Sequence, residues 1–145
     1  MMKKWFGRAI CGLVLALLCS GGAVSADSYN YLSPEAVRQN LESRVPMLLV
    51  DIQVEEEFAA HHLPGALATF AYPVKTEAEK ARLDAVVEKL NASEEPVVIV
   101  CPRGGGGAER AYQHLQASGI PAGRLFILEK GQDGWPYPEL TEKGK

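Results

Sequence analysis

The sequence predicts an α/β domain with a central, mainly parallel sheet and helices on both faces. Two observations carry this. The strand-like segments are short, unbroken apolar runs: Met47-Leu48-Leu49-Val50, Val97-Val98-Ile99-Val100 and Leu125-Phe126-Ile127-Leu128. Strands buried on both faces read this way, whereas half-exposed strands alternate. The segments between them place apolar residues at helical spacing, and strands that alternate with helices build parallel sheets. In such sheets ligands bind beyond the carboxyl ends of the strands. Asp51, Cys101 and the residues after Leu128 stand at three such ends.

The elements follow in order. Ser33-Pro34 is a helix start, with serine as N-cap and proline at the first helical position, and Val37 and Leu41 facing inward. Pro46 stops that run, and the strand 47–50 ends at Asp51. A short helix over residues 54–60 carries Glu55, Glu56 and Glu57 in its first turn, where the helix dipole favours acids. Leu63-Pro64-Gly65-Ala66 turns into a short strand near Leu67. Thr76 and Glu79 form a capping box, and Leu83, Val86, Val87 and Leu90 give its helix an apolar stripe. Ala108, Ala111, Tyr112 and Leu115 form a second stripe, closed by Gly119 at the C′ position. The tail after Trp135 is polar and proline-rich, and reads as an irregular wrap with a frayed end.

The first residues are expected to lie outside this domain. Lys3, Lys4 and Arg8 precede an apolar stretch, residues 9–18, too short to span a bilayer, and Val24-Ser25-Ala26 suits signal-peptidase cleavage. Residues 1–26 are therefore read as a cleaved signal peptide of an exported, periplasmic protein, and residues 27–145 as one domain. Two other readings stand beside this. One is an uncleaved anchor. The other is a lipoprotein acylated at Cys19 of Ala16-Leu17-Leu18-Cys19, which would tether the domain to a membrane. Losing three basic and no acidic residues takes the formal charge from −3 to −6. With no basic patch, nucleic acid is not an expected partner. Cleavage also removes Cys11 and Cys19, so Cys101 is left without an internal disulfide partner.

Cys101 is the candidate nucleophile. It ends the 97–100 strand and opens Pro102-Arg103-Gly104-Gly105-Gly106-Gly107, directly before a helix. Backbone N–H groups and the helix dipole favour a thiolate at such a place. Four glycines can each adopt positive φ and turn their N–H groups inward, forming an anion nest. Phosphatase loops place an arginine six residues after the cysteine to clamp phosphoryl oxygens. That position here is Gly107, and Arg103 is the cation within the loop.

From residue 31 to residue 135 the chain resembles single-domain rhodaneses. Leu49-Val50-Asp51-Ile52-Gln53 is similar to L-V-D-x-R of that family. The stretch from Glu57 to Ala66, including His61-His62-Leu63-Pro64-Gly65-Ala66, is similar to E-F-x-x-G-H-I-P-G-A. Cys101 leads into a loop of the family's length, and Leu128-Glu129-Lys130-Gly131-Gln132-Asp133-Gly134-Trp135 is similar to L-x-G-G-x-x-A-W. The resemblance implies a rhodanese-like fold and a sulfurtransferase without a metal or organic cofactor. The Cys101 thiolate would take sulfane sulfur from thiosulfate or a similar small anion, and pass it to cyanide, a thiol or a protein acceptor. Main-chain N–H groups over residues 103–107 would stabilise the thiolate and persulfide.

The departures concern recognition more than the cysteine. Gln53 replaces the family arginine, His61 replaces a glycine, and the second half of the loop carries only glycine. Arg103 is then the expected anion-steering group. Asp51 and Trp135 are supporting residues, and His62 is a structural histidine before the Pro-Gly turn. Glu57 and His61 share a helix face, which alone is weak evidence for a metal site. A persulfide carrier and a non-catalytic interaction module are the alternatives to an enzyme. Of these the carrier also needs an accessible thiol, and the module does not.

Overall fold

The computed structural model describes residues 28–144. The proposed signal peptide, with Cys11 and Cys19, lies outside the described residues. The elements run β1 (Tyr31–Leu32), α1 (Pro34–Glu42), β2 (Leu48–Asp51), α2 (Glu55–Ala60), β3 (Leu67–Ala68), α3 (Glu77–Asn91), β4 (Val97–Val100), α4 (Gly106–Ala117) and β5 (Leu125–Leu128). Short 3₁₀ turns lie just before β5 at Ala122–Arg124 and after it at Pro138–Leu140. The five strands form one sheet in the order β1-β5-β4-β2-β3, and every pairing is parallel. The expectation of a mainly parallel sheet is met in full.

The register explains why the apolar runs are unbroken. β4 is central, and all four of its residues are buried. Val97, Ile99 and then Cys101 point to one face, where they pack with Leu83 and Leu90 of α3 and Ala108, Ala111, Tyr112 and Leu115 of α4. Val98 and Val100 point to the other face, with Val37 of α1, Leu63 and Trp135. The central strand residues therefore meet α3 and α4 on one side and α1 with the loops around Leu63 and Trp135 on the other, which leaves β4 no polar position.

Local signals place the helices. The Ser33 hydroxyl accepts from the Ala36 N–H at 3.2 Å, with Pro34 in the first turn. At α3 the Thr76 hydroxyl accepts from the Glu79 N–H at 3.2 Å. The Glu79 carboxylate accepts in return from the N–H groups of Thr76 and Lys75 at 3.0 and 2.6 Å. Those two donors hold the Glu79 carboxyl below its usual range. Gly119 takes φ +99° just after α4, as the C′ position demands.

Two expectations need correction, and one strand was not anticipated. That strand is β1, which closes the sheet edge through Tyr31–Ile127 and Leu32–Leu128 pairing. The helix expected at residues 54–60 begins at Glu55, with Val54 as its extended N-cap. The tail is tied down rather than frayed: Glu142 pairs with His62 as an antiparallel bridge, and the Gly144 N–H donates to the Ala59 carbonyl at 2.9 Å.

The capping box is reciprocal, and removing the Thr76 hydroxyl leaves the Glu79 N–H without its side-chain acceptor. Thr76→Ala is expected to lower unfolding free energy by about 1 kcal/mol in urea melts, with the slope unchanged. An unchanged midpoint would show that α3 is held by packing alone.

Candidate active site

β4 delivers Cys101 to the carboxyl edge of the sheet on the α4 side. The thiol is buried, at 2% exposure, beneath the loop rather than on its surface. Its Sγ accepts from the Gly104 N–H at 2.8 Å. That contact requires Gly104 to adopt φ +72°. A Cβ at Gly104 would lie 2.8 Å from the Lys130 nitrogen and 3.0 Å from the Leu128 carbonyl oxygen, so only glycine fits.

The expected nest of four glycines is narrower in fact. Among the four, only Gly104 has positive φ. Gly105 is the N-cap of α4, and Gly106 and Gly107 already lie in its first turn. The N–H shown bonding sulfur belongs to Gly104, while the turn at Gly105–Gly107 presents the positive end of the α4 dipole to the same loop.

A second turn braces the loop from behind. The Gln132 N–H donates to the Cys101 carbonyl at 2.8 Å, and the Asp133 N–H to the Pro102 carbonyl at 2.9 Å. Gly131, at φ +62°, sits directly against the Cys101 carbonyl, where a Cβ would collide. The residues after Leu128 thus meet the Cys101 loop, as the strand-end argument anticipated. Trp135 is buried on the opposite face of the sheet, and its indole N–H donates to the Tyr137 carbonyl at 2.8 Å. It anchors the tail.

Asp51 faces away from the loop. Its two carboxylate oxygens accept from the backbone N–H and the side-chain amide of Gln53, at 2.8 and 3.0 Å. The same Gln53 amide donates to the His61 carbonyl at 3.2 Å, and the Gln53 Oε1 has no partner among the described residues. Burial pushes the Asp51 carboxyl up to about 6, against the lowering effect of the Gln53 donors and, more weakly, the two histidines. A neutral amide stands where the resemblance led one to expect a guanidinium, and it supplies hydrogen bonds without a charge.

His62 is structural. Its Nδ1–H donates to the Phe58 carbonyl at 2.8 Å, and its ring stacks on Phe58 at 3.9 Å between centroids. His61 caps the end of α2. Among the described residues no group of three His, Cys, Asp or Glu side chains is gathered to hold a metal ion.

The sequence did not single out Tyr72, Tyr31 or Glu109. Tyr72 covers the start of α4: a Cβ on Gly107 would lie 2.7 Å from its ring. Its hydroxyl accepts from Arg103 Nη2 at 2.9 Å, so Arg103 is exposed yet held at the mouth. The ring occupies the room that a side chain at residue 107 would need. Tyr31 titrates above the ordinary phenol range, mainly through partial burial and then through the Glu109 carboxylate, with a smaller effect from Cys101. β1 thereby sets a phenol within electrostatic reach of the thiol. No periodicity signals either tyrosine, because each acts across the fold from a loop or a two-residue strand.

The model of the rhodanese-like domain family matches residues 33–136. The chain belongs to that family. The structure is similar to a thiosulfate sulfurtransferase from Pseudomonas aeruginosa, with TM-score 0.61 and 24% identity over 81% of this chain. This rhodanese-like domain spans 20% of that longer protein. It is also similar to a yeast protein tyrosine phosphatase of the rhodanese family, with TM-score 0.61 and 18% identity over 83% of this chain and 96% of that one. An As-Sb reductase from Leishmania major matches with TM-score 0.60 and 15% identity over 80% and 86% of the two chains. At these identities the likenesses establish the fold. The chemistry of this rhodanese-like domain has to come from its own loop.

Asp51 gives a pH signature. Its carboxyl is raised from 3.8 to about 6 by folding, so the folded state holds the proton more tightly. Stability from this group is full below about pH 4 and is lost as pH rises through 6, a change on the order of 3 kcal/mol. In urea melts at pH 4, 5, 6 and 7, Asp51→Asn is expected to gain on the wild type across that window. An offset that stays constant with pH would contradict the assignment.

Proposed function

We propose that this rhodanese-like domain is a sulfurtransferase that carries sulfur as a Cys101 persulfide. The observation that supports it is the Cys101 sulfur under the Gly104 N–H at 2.8 Å, facing the N-terminus of α4. Donors fixed before reaction stabilise a sulfur anion without reorganising.

In the first half-reaction the Cys101 thiolate attacks the outer sulfur of thiosulfate. The S–S bond of the donor breaks, its electron pair leaves with sulfite, and the new bond makes Cys101–S–S⁻. In the second, a thiolate or cyanide attacks the outer sulfur, and the Cys101 thiolate leaves. Sulfur and electrons balance without another oxidant or reductant, and the two half-reactions share one site.

The loop favours sulfur over phosphorus chemistry. A phosphoryl group needs a bidentate cation across the loop. Here residue 107 is glycine, and the Tyr72 ring stands against it. Arg103, held by Tyr72, remains as a single cation at the mouth. One cation suits a small anion that must enter and leave as sulfite.

Incubation with thiosulfate is expected to add about 32 Da to the intact protein, the mass of one sulfur, removable by a thiol and absent in Cys101→Ser. No adduct with thiosulfate or polysulfide would refute the reading. Release of thiocyanate on repeated cyanide turnover separates an enzyme from a carrier that discharges once. Tyr72→Phe keeps the ring over Gly107 but frees Arg103. It is expected to raise the thiosulfate concentration for half-loading roughly threefold to tenfold, in line with the loss of one exposed hydrogen bond of ordinary strength. Unchanged half-loading would remove Arg103 from donor binding.

A further inference from the structure

A groove of about 420 Å³ lies outside the Cys101 loop, lined by Val74, Lys75, Lys80, Arg110, Gln113 and His114. The chain carries more acidic than basic residues, 18 against 15, yet among the described residues none that lines this groove is a carboxylate; Glu77, Glu79 and Asp84 stand at its edge, bonded to Lys80, the Lys75 N–H and His114. Three cations, a histidine and an amide converge on it from the start of α3 and the outer face of α4. Its volume falls in the range of small-molecule sites.

The cations are held ready in different ways. Arg110 Nε donates to the Pro73 carbonyl at 2.9 Å, which fixes the guanidinium in place. Among the described residues neither Arg110 nor Lys75 forms an ion pair with a carboxylate. Lys80 pairs with Glu77 at 2.9 Å, and His114 with Asp84 at 2.7 Å. The Glu77 side chain is 91% exposed, so that pair is weak and open to exchange for another anion.

Two connections join the groove to the thiol loop. Arg110 Nη1 would lie 3.0 Å from a Cβ on Gly106, so the guanidinium runs along the first turn of α4. Tyr72 stands over that same turn, and Val74 lines the groove. Two residues apart, their Cα atoms are separated by roughly 7 Å at most.

We infer that this groove binds the carboxylates of the sulfur acceptor, a small thiol carrying two or more of them. The inference rests on the sulfur-transfer reading and extends it to the second half-reaction. The loop itself offers one cation and glycines, enough for a small donor but too few side chains to choose an acceptor. The groove supplies that choice. A concave site of this size takes a small molecule more readily than a flat protein face.

The test uses the persulfide-loaded protein, with loading confirmed by intact mass in wild type and in Lys75→Ala/Lys80→Ala. Discharge is timed with mercaptosuccinate, a dicarboxylate thiol, and with 2-mercaptoethanol, which is neutral. Comparing wild type with variant for each thiol cancels their different intrinsic reactivities. The double variant is expected to slow mercaptosuccinate about fivefold to tenfold, while 2-mercaptoethanol changes less than twofold. High salt is expected to bring the wild type toward the variant with mercaptosuccinate alone. An equal response to both thiols, or no response, overturns the proposal.

A binding measurement stands apart from activity. Citrate titrated into the unloaded protein is expected to shift the amide resonances of Val74, Lys75, Lys80, Arg110 and His114, and to do so only weakly in the double variant. Equal citrate binding by the two proteins overturns the groove assignment. Preference for an acidic octapeptide over citrate also overturns it, by assigning the groove to a macromolecular partner. Failure of the wild type to load sulfur would instead refute the sulfur-transfer reading, and citrate would still decide whether the groove binds carboxylates.

Discussion

The arrangement depends on one close approach of two backbones. The loop from Cys101 to Gly104 lies against the turn from Leu128 to Asp133 with no side chain between them. Gly104 and Gly131 face each other's segments at φ +72° and +62°, and a Cβ on either would collide with backbone atoms. Because both glycines allow contact, the carbonyls of Cys101 and Pro102 find the N–H groups of Gln132 and Asp133. With its carbonyls turned back into the protein, the loop directs the Gly104 N–H toward sulfur. The polarity of the site is therefore decided by backbone direction, and the charged side chains around it act on a geometry already fixed.

The same economy appears at the neighbouring strand end, with a different outcome. Asp51 and Val100 are paired in register, so the carboxylate lies one strand from the thiol loop. It is spent on Gln53 and has no contact with the loop. A guanidinium at residue 53 would have kept Asp51 ionised, whereas the amide leaves a buried acid that titrates near 6 and an unpaired amide oxygen. When Asp51 is protonated, its hydroxyl becomes a donor and Gln53 Oε1 is an acceptor without a partner. Rotation of the amide would satisfy both. The substitution thus converts a fixed charge into a protonation equilibrium inside the strand–helix junction, with its cost in stability at neutral pH.

The sequence made legible whatever is local or periodic. Ser33, Thr76 with Glu79, and Gly119 announced three helix ends because capping is settled within a few residues. The runs through Val50, Val100 and Leu128 announced the sheet because a strand covered on both faces has no polar positions. Cys101 stood out because a thiol at a strand end before a helix is an electrostatic arrangement that neighbouring residues alone define. Other features depend on distant partners. β1 is two residues long and is a strand only because β5 is there to pair with it. Tyr72 follows β3 in a segment where Phe70 and Val74 take positive φ, and its role comes from Gly107, thirty-five residues on. The number of loop glycines was visible, but their division between one αL residue and a helix start was not, since glycine is permissive of both.

That division bears on what the thiol can react with. A loop with every N–H turned inward would enclose an anion from all sides and favour a tetrahedral oxyanion held through its oxygens. Here one N–H meets the sulfur, a helix end lies opposite, and Tyr72 closes the place where a clamping side chain would project. The N–H that meets the thiol is Gly104's, and the first-turn N–H groups of α4 remain open donors beside it. The Gly104 contact would suit the thiolate of the proposed reaction, whose charge sits on the Cys101 sulfur when it attacks the donor and again when it leaves. Selection of the partner then falls to groups beyond the loop. On the proposed reading Arg103 would act at the mouth, and the cations from Arg110 to Lys75 would meet the acceptor's carboxylates. On that reading recognition and chemistry are separated in this fold because the backbone contact that orients the thiol admits no side chain to combine them.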